Sequence, residues 1–144
     1  LEIYKDYDIN IYVPLSYGGN KNHIAKIISV GQKIFKDKFF PILNFMNFEN
    51  YSKFLNKVDV AIFAHNRQQG MGNIINLLGL GKKVYIKTDT TTWQLFKNLN
   101  IILYDFELLE LNKIDDRVKS ANIEKVKFHF SKKIYLNQIK NLFN

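Results

Sequence analysis

The 144-residue chain contains no cysteine, and this absence excludes a disulfide framework, a catalytic thiol and a zinc site with cysteine ligands. Long apolar runs are also missing. The run from Val60 to Ala64 is one of the longest, and it falls far short of the roughly 18 residues that a membrane-spanning helix needs. No repeat or low-complexity linker divides the chain, so its length predicts one domain over residues 1–144.

Arginine is scarce, because 19 of the 21 basic residues are lysine and only Arg67 and Arg117 are arginine. The net charge of +8 is concentrated towards the end of the chain, where residues 113–144 hold eight basic and three acidic residues. A basic C-terminal helix is predicted over about residues 122–143, with apolar residues at helical spacing; these are Ile123, Val126, Phe130 and Ile134. Its lysines suit either an anionic membrane surface or an ordinary solvated helix face; they are Lys125, Lys127, Lys132, Lys133 and Lys140.

The chain starts at Leu1 instead of methionine, and its first residues lack the basic, apolar and small-residue segments of a signal peptide. We expect it to be part of a longer protein that has a further N-terminal portion. With 47% hydrophobic residues, the part in hand can bury a core of its own.

Short apolar segments alternate with helical patterns along the chain. Strands are predicted over residues 9–15, 39–43, 58–64, 83–87 and 101–104, and helices over residues 21–37, 47–57, 70–80 and 91–99. The nearly continuous apolar segment 58–64 is typical of a central strand, whereas Pro41 favours an edge position for the second strand, and Gly81 is a natural helix stop. The pattern predicts an α/β fold, with a doubly wound, mostly parallel five-stranded Rossmann-like sheet and helices on both faces.

Ligands of such sheets bind beyond the carboxyl ends of the strands, where helix N-termini attract anions. The most polar of these loops covers residues 65–73. Its Gly70 and Gly72 permit close backbone approach to a phosphate, and Arg67 offers paired donors to a diphosphate, which lysine cannot do. Turn glycines with a purely steric role and a plain surface arginine are the alternatives.

Two neighbouring loops have the same position relative to the predicted sheet. Tyr17, Gly18 and Gly19 follow the first strand, and either seat a sugar or diphosphate or form an ordinary turn. Residues 90–92 are three threonines at a predicted helix start, where at least one is expected to be an N-cap.

Familiar cofactor motifs are absent from the sequence. The segment from Gly70 to Ile75 has isoleucine where a dinucleotide-binding motif needs its third glycine, and it follows the third strand instead of the first. No Walker A sequence occurs. The three histidines, His23, His65 and His129, lack the spacing of a shared metal site, so we predict neither metal nor cofactor.

Three segments carry a resemblance to a known family: VPLSYG at 13–18, DVAIFAHNRQQGMGNI at 59–74 and GKKV at 81–84. The Asn-Arg-Gln-Gln stretch followed by Gly-Asn is the most specific part. Over residues 9–105 the chain resembles the bacterial TDP-N-acetylfucosamine:lipid II N-acetylfucosaminyltransferases, also labelled 4-alpha-L-fucosyltransferases.

This resemblance implies a GT-B glycosyltransferase with two Rossmann-like domains, of which this chain is the C-terminal, donor-binding half. It implies transfer of an N-acetylated amino-fucose from a TDP-sugar to a polyprenyl-diphosphate-linked glycan, in enterobacterial common antigen-like surface polysaccharide synthesis. The enzyme is expected to be peripheral, at the cytoplasmic face of the bacterial inner membrane, and to need no metal. The acceptor site and the catalytic base are expected in the N-terminal half, so the isolated chain would bind donor without turning it over.

The resemblance also assigns roles to residues. Arg67 would stabilise the leaving diphosphate, while Asn66, Gln68 and Gln69 would bind sugar hydroxyls, the acetamido group or phosphate oxygens. The remaining donor-binding residues are expected to be Tyr17, Gly18, Gly19, His65, Gly70, Gly72, Asn73, Thr90, Thr91 and Thr92.

A second hypothesis is a non-catalytic basic α/β domain that binds nucleotide or nucleic acid through its charge. The lysines are thinly spread and no aromatic-basic RNA-binding motif occurs, so we do not expect nucleic acid as a partner. The two hypotheses differ in an observable, because only a donor site should discriminate thymidine diphosphate from adenosine diphosphate.

Overall fold

The computed structural model describes residues 1–16, 20–66 and 69–142. The chain forms two compact units, Leu1–Tyr51 and Ser52–Asn144. Helices and parallel strands alternate in the described residues, which confirms the α/β class. The described strands form one sheet of two strands and one sheet of three, and strand pairing stays within each unit. The predicted single sheet of five strands is not observed among the described residues.

The first unit is a two-stranded parallel sheet with one long helix. β1 (Ile11–Pro14) pairs with β2 (Phe39–Ile42), and α1 (Lys21–Phe35) connects them. Asn20 begins α1 by accepting a 2.9 Å hydrogen bond from the Asn22 backbone N–H. At Gly31 the helix approaches the sheet so closely that an added Cβ would lie 2.3 Å from the Phe39 ring. A glycine is therefore required where α1 crosses β2.

The second unit is a three-stranded parallel sheet in the order β3-β4-β5. Its elements in chain order are α2 (Phe48–Lys57, which begins in the first unit), β3 (Val60–Phe63), α3 (Met71–Gly79), β4 (Lys83–Ile86), α4 (Thr91–Asn98), β5 (Tyr104–Asp105), α5 (Asp116–Phe130) and α6 (Lys132–Leu142). The strand with a neighbour on each side is β4, and all four of its residues are buried. The segment 58–64 was predicted to be a central strand, but in the described sheet β3 lies at an edge, paired with β4 alone, and is half-buried along its length.

The core of the second unit lies between β4 and the helices. Leu78 of α3, Val84 of β4 and Phe96 of α4 are fully buried. α3 ends as the sequence predicted: Gly81 has a left-handed φ of 71°, and the Gly81 and Lys82 N–H groups bond the last carbonyls of the helix. These bonds set the turn that feeds β4 into the sheet.

A buried asparagine replaces a strand partner next to β5. The Asn122 side chain is 1% exposed, and its amide accepts from the Ile102 N–H at 2.9 Å and donates to the Ile102 carbonyl at 2.8 Å. Residues 101–104 were predicted as the fifth strand, yet the strand begins only at Tyr104. The reason is that Asn122 takes the backbone bonds of Ile102 that a ladder would otherwise use.

A buried lysine begins β4. Lys83 is 3% exposed, and its Nζ lies 5.1 Å from the centre of the Tyr85 ring and 4.7 Å from that of Tyr104. The ammonium group donates to the Glu110 carbonyl at 3.2 Å and to the Asn112 side chain. Burial raises the pKa of the Tyr104 hydroxyl, with further contributions from Tyr85 and Asp115. Through these contacts, Lys83 connects the segment after β5 to β4, the central strand.

The basic end of the chain is two helices and not the single helix predicted over 122–143. Ser131 has an extended backbone, so α5 ends at Phe130. The Ser131 hydroxyl accepts a 3.4 Å hydrogen bond from the Ile134 N–H at the start of α6. Serine competes for backbone bonds in this way and favours helix ends. In the described part of the chain, none of the helices combines the length and the apolar character that crossing a bilayer requires.

Candidate functional site

Gly70 makes the turn between β3 and α3. It precedes the helix with a left-handed φ of 68°, and an added Cβ would lie 3.1 Å from the Phe63 ring. The torsion angle favours glycine strongly here, and the close Phe63 ring adds to that preference. Gly70 therefore has the steric role that was one of the alternatives for it: its backbone conformation lets the chain turn sharply from β3 into α3.

The first turn of α3 faces open space. An added Cβ at Gly72 would meet nothing within 4 Å, so this glycine is not needed for packing. The first internal bond of the helix runs from the Ile74 N–H to the Gly70 carbonyl at 3.0 Å. Gly70 has no side chain to cap the helix, and the N-terminal N–H groups of a helix carry partial positive charge. The N–H groups of Gly72 and Asn73 belong to this first turn, whose partial positive charge favours anions.

The start of α4 differs, because a side chain caps it. The Thr90 hydroxyl donates to the Lys87 carbonyl at 2.8 Å and accepts from the Trp93 N–H at 3.2 Å. This is the N-cap role expected for one of the threonines. Thr91 is exposed in the first turn, and Thr92 is buried.

The two helix starts meet at one shallow cleft beyond the carboxyl ends of β3 and β4. Its lining combines polar loop residues with apolar strand and helix residues; they are Phe63, His65, Gln69, Ile74, Ile86, Thr90 and Thr92. The His65 ring stands edge-on to Phe63, with 6.0 Å between ring centres. The cleft is a solvent-open hollow and not an enclosed pocket: its roughly 210 Å³ includes solvent-filled space outside the protein surface, so it offers an edge of contact and not a complete ligand cavity.

Lys87 is a cation beside the cleft that the sequence analysis did not single out. It follows β4 directly, and its ammonium group donates to the Asn66 side-chain oxygen in the loop after β3. A cation therefore bridges the two loops that flank the cleft, and it is half-buried. The sequence did contain a signal for Lys87: it ends a predicted strand and lies close to Thr90 at the next helix start.

The structure thus brings four predicted residues together in the cleft, namely His65, Gln69, Thr90 and Thr92. Asn66 is held by Lys87, while Gly70, Gly72 and Asn73 form the adjoining start of α3, and Thr91 begins α4. Other predicted residues lie outside the described residues: Tyr17, Gly18, Gly19, Arg67 and Gln68. Within the described ranges, no three histidine or acidic side chains come together in a way that would hold a metal ion.

Comparison with known families gives the chain a family. Residues 2–144 match the family model of 4-alpha-L-fucosyltransferase, glycosyl transferase group 56. The chain belongs to this family. The match confirms the resemblance found in the sequence and extends it over the C-terminal helices, which the motifs had not covered. No solved structure matches the chain.

Membership in this family gives the chain a reaction class. It is a glycosyltransferase, a type of enzyme that takes a nucleotide-sugar donor and a glycan acceptor. The leaving group of such a donor is a nucleoside diphosphate, which needs positive electrostatic potential as the glycosidic bond breaks. Among the described residues beside the cleft, Lys87 carries a full positive charge and the start of α3 a partial one.

Proposed function

We propose that this chain is the donor-binding half of a GT-B glycosyltransferase, and that the cleft at the starts of α3 and α4 seats the donor. The observation that carries the proposal is the meeting of these two helix starts with His65, Gln69, Thr90 and Thr92 at the carboxyl edge of a parallel sheet. Anions bind at such edges because helix N–H groups and dipoles point towards them.

In this proposal the diphosphate lies against the open first turn of α3. The N–H groups of Gly72 and Asn73 donate to phosphate oxygens, and Gly72 lets the phosphate approach without steric conflict. Arg67 and Lys87 supply full positive charge, Arg67 by its place in the same loop and Lys87 by its bond to Asn66. Together they stabilise the charge that develops on the leaving diphosphate.

The sugar and the acceptor complete the proposal. Asn66, Gln68 and Gln69 have amide groups that suit sugar hydroxyls and an acetamido group, and His65 borders the same cleft. We propose a TDP-linked N-acetylated amino-fucose as the donor and a polyprenyl-diphosphate-linked glycan as the acceptor, in surface polysaccharide synthesis. The family match supports the reaction class, and the sequence motifs support this donor and acceptor.

The test is a calorimetric titration of the 144-residue chain with thymidine diphosphate, with adenosine diphosphate as the control ligand. Gly72→Glu is the decisive variant. Its carboxylate would occupy the open space and repel a diphosphate, while an acidic residue in the first turn suits the helix dipole. We expect thymidine diphosphate to bind with saturation and Gly72→Glu to weaken binding at least about tenfold, or about 1.4 kcal/mol.

Gly72→Ala is the matched control, since a methyl group fits the open space and alanine favours the helix. It should bind as the unmodified chain does. Arg67→Ala should lose about 1.5 to 3 kcal/mol of binding free energy, the range for a hydrogen bond to a charged group. Equal affinity for adenosine diphosphate, undiminished binding by Gly72→Glu, or no binding by the folded chain would contradict the proposed site.

A further inference from the structure

Part of the cleft lining is apolar. Phe63 ends β3 and Ile86 ends β4, and the two residues are partners in the parallel ladder, so their side chains leave the same face of the sheet. Ile74 of α3 lines the same cleft. Ile74 and Ile86 are each 2% exposed, and Phe63 is half-buried. We call these three side chains the apolar floor of the cleft.

The two threonines that line the cleft differ in what their hydroxyls can still bind. The Thr90 hydroxyl donates to the Lys87 carbonyl and accepts from the Trp93 N–H, so its proton is engaged within the protein. Thr92 is 6% exposed, and among the described residues no hydrogen bond engages its hydroxyl. Over the same ranges, no fully enclosed side-chain oxygen lacks a partner. The Thr92 oxygen is therefore not enclosed, and it opens towards the cleft that this residue lines.

A nearly buried hydroxyl without a partner points to a ligand, because buried polar groups in folded proteins are normally paired. The apolar floor points to the chemistry of that ligand. A hydroxyl group held against the floor would lose water without gaining a hydrogen bond, whereas a methyl group would gain free energy by leaving water. The ligand is thus expected to present a methyl group to the floor and a polar substituent to Thr92.

The sugar in the family description meets this requirement. Fucose is a 6-deoxyhexose, so it carries a methyl group where galactose carries a hydroxymethyl group, and polar substituents occupy the ring carbons nearby. The cleft is open to solvent, so the larger group of galactose is not excluded by its size. Any discrimination at this place comes from the free energy of leaving water, which separates a methyl group from a hydroxyl group.

We propose that the apolar floor and Thr92 make this chain specific for a 6-deoxy sugar in its donor. The methyl group of the sugar packs on Phe63, Ile74 and Ile86, and the Thr92 hydroxyl bonds a polar substituent of the same ring. This inference rests on the proposed function, because a diphosphate held at the start of α3 brings the attached sugar to the cleft.

The experiment is a calorimetric titration of the 144-residue chain with three ligands. They are thymidine diphosphate, thymidine diphosphate fucose and thymidine diphosphate galactose, with sugars of the same configuration at every ring carbon. We expect the fucose compound to bind about ten- to a hundredfold more tightly than the galactose compound. If thymidine diphosphate binds and the two sugar compounds bind equally, this inference is wrong and the donor site stands. If thymidine diphosphate does not bind, the proposed function fails and this inference fails with it.

Ile86→Thr tests the floor by placing a hydroxyl in it. The preference for fucose over galactose should fall to within about threefold, while thymidine diphosphate binds as before. Val84→Thr is the matched control, because it adds the same group to a buried position of β4 that does not line the cleft, and it should keep the full preference. Circular dichroism checks that both variants are folded. An unchanged preference in folded Ile86→Thr would contradict the proposal, and if the variant does not fold, the comparison of the two sugars on the unmodified chain decides.

Thr92→Val tests the hydroxyl, since valine has nearly the same shape and cannot form the hydrogen bond. It should weaken both sugar compounds about tenfold and leave the affinity for thymidine diphosphate unchanged. Undiminished binding of both sugar compounds would show that Thr92 does not bind the sugar. An equal loss for thymidine diphosphate would place Thr92 at the diphosphate, and either result would overturn its assigned role.

Discussion

Two lysines at opposite ends of one strand show how differently the same residue type is used in this chain. Lys83 begins β4 and is enclosed by two tyrosine rings and backbone carbonyls, whereas Lys87 follows β4 and reaches Asn66 in a half-exposed loop. The first has its donors satisfied inside the protein. The second lies at the carboxyl edge of the sheet beside an open cleft, where a ligand can still reach it. We therefore expect Lys83 to contribute to stability and Lys87 to contribute to ligand binding.

The largest expected effect concerns Asn122, the other buried polar side chain bonded to backbone. Asn122→Ala leaves the N–H and carbonyl of Ile102 without their partners and opens a small cavity. We expect the free energy of unfolding to fall by about 2 to 4 kcal/mol. Urea denaturation measures this. Asn98→Ala on the exposed face of α4 should stay within about 0.5 kcal/mol of the unmodified chain, and a similar loss there would contradict the assignment.

The comparison itself is tested by changing each lysine to methionine, which keeps the stem and removes the charge. Lys83→Met should lower the free energy of unfolding by about 1 to 2 kcal/mol, because carbonyl partners and two ring contacts are lost. Lys87→Met should leave stability within about 0.5 kcal/mol and weaken thymidine diphosphate binding about tenfold. If both variants lost stability and both kept their affinity for thymidine diphosphate, the two lysines would be equivalent, which would contradict this account.

A smaller effect is expected at the start of α4. Thr90→Ala removes the hydroxyl that accepts from the Trp93 N–H, so the free energy of unfolding should fall by about 1 kcal/mol. Thr90→Ser keeps a hydroxyl and should recover most of this loss. If alanine and serine gave equal stability, the hydroxyl would not act as the cap.

The periodicity of apolar residues was enough to predict most of the fold. It located α1, α3 and α4, and the turn at Gly81, because one face of each helix must pack on a core. It could not predict how strands group into sheets, since each ladder depends on neighbours remote in sequence. It also predicted the central strand at 58–64, whereas β4 holds the central position in the described sheet, because Lys83 made β4 look more polar.

The missed residues share a cause. Lysine and asparagine are usually exposed, so Lys83 and Asn122 were not predicted to be buried. A signal was present in both cases: Lys83 directly precedes the apolar Val84, and Asn122 is one helical turn from buried Val126. Of the three loops that the rule for parallel sheets selected, two contribute residues to the cleft and the third falls mostly outside the described residues. The rule did not single out Lys87, since a lysine after a strand is common on surfaces.

The central claim is that the edge beside the cleft binds a diphosphate independently of the buried network. Urea unfolding of the unmodified chain, Gly72→Glu and Asn122→Ala, each with and without thymidine diphosphate, tests it directly. At about 100 times the dissociation constant, ligand should add about 2.7 kcal/mol to the unmodified chain and to the weakened Asn122→Ala. Gly72→Glu should start near the unmodified stability and gain almost nothing; an equal gain in Gly72→Glu would contradict the account.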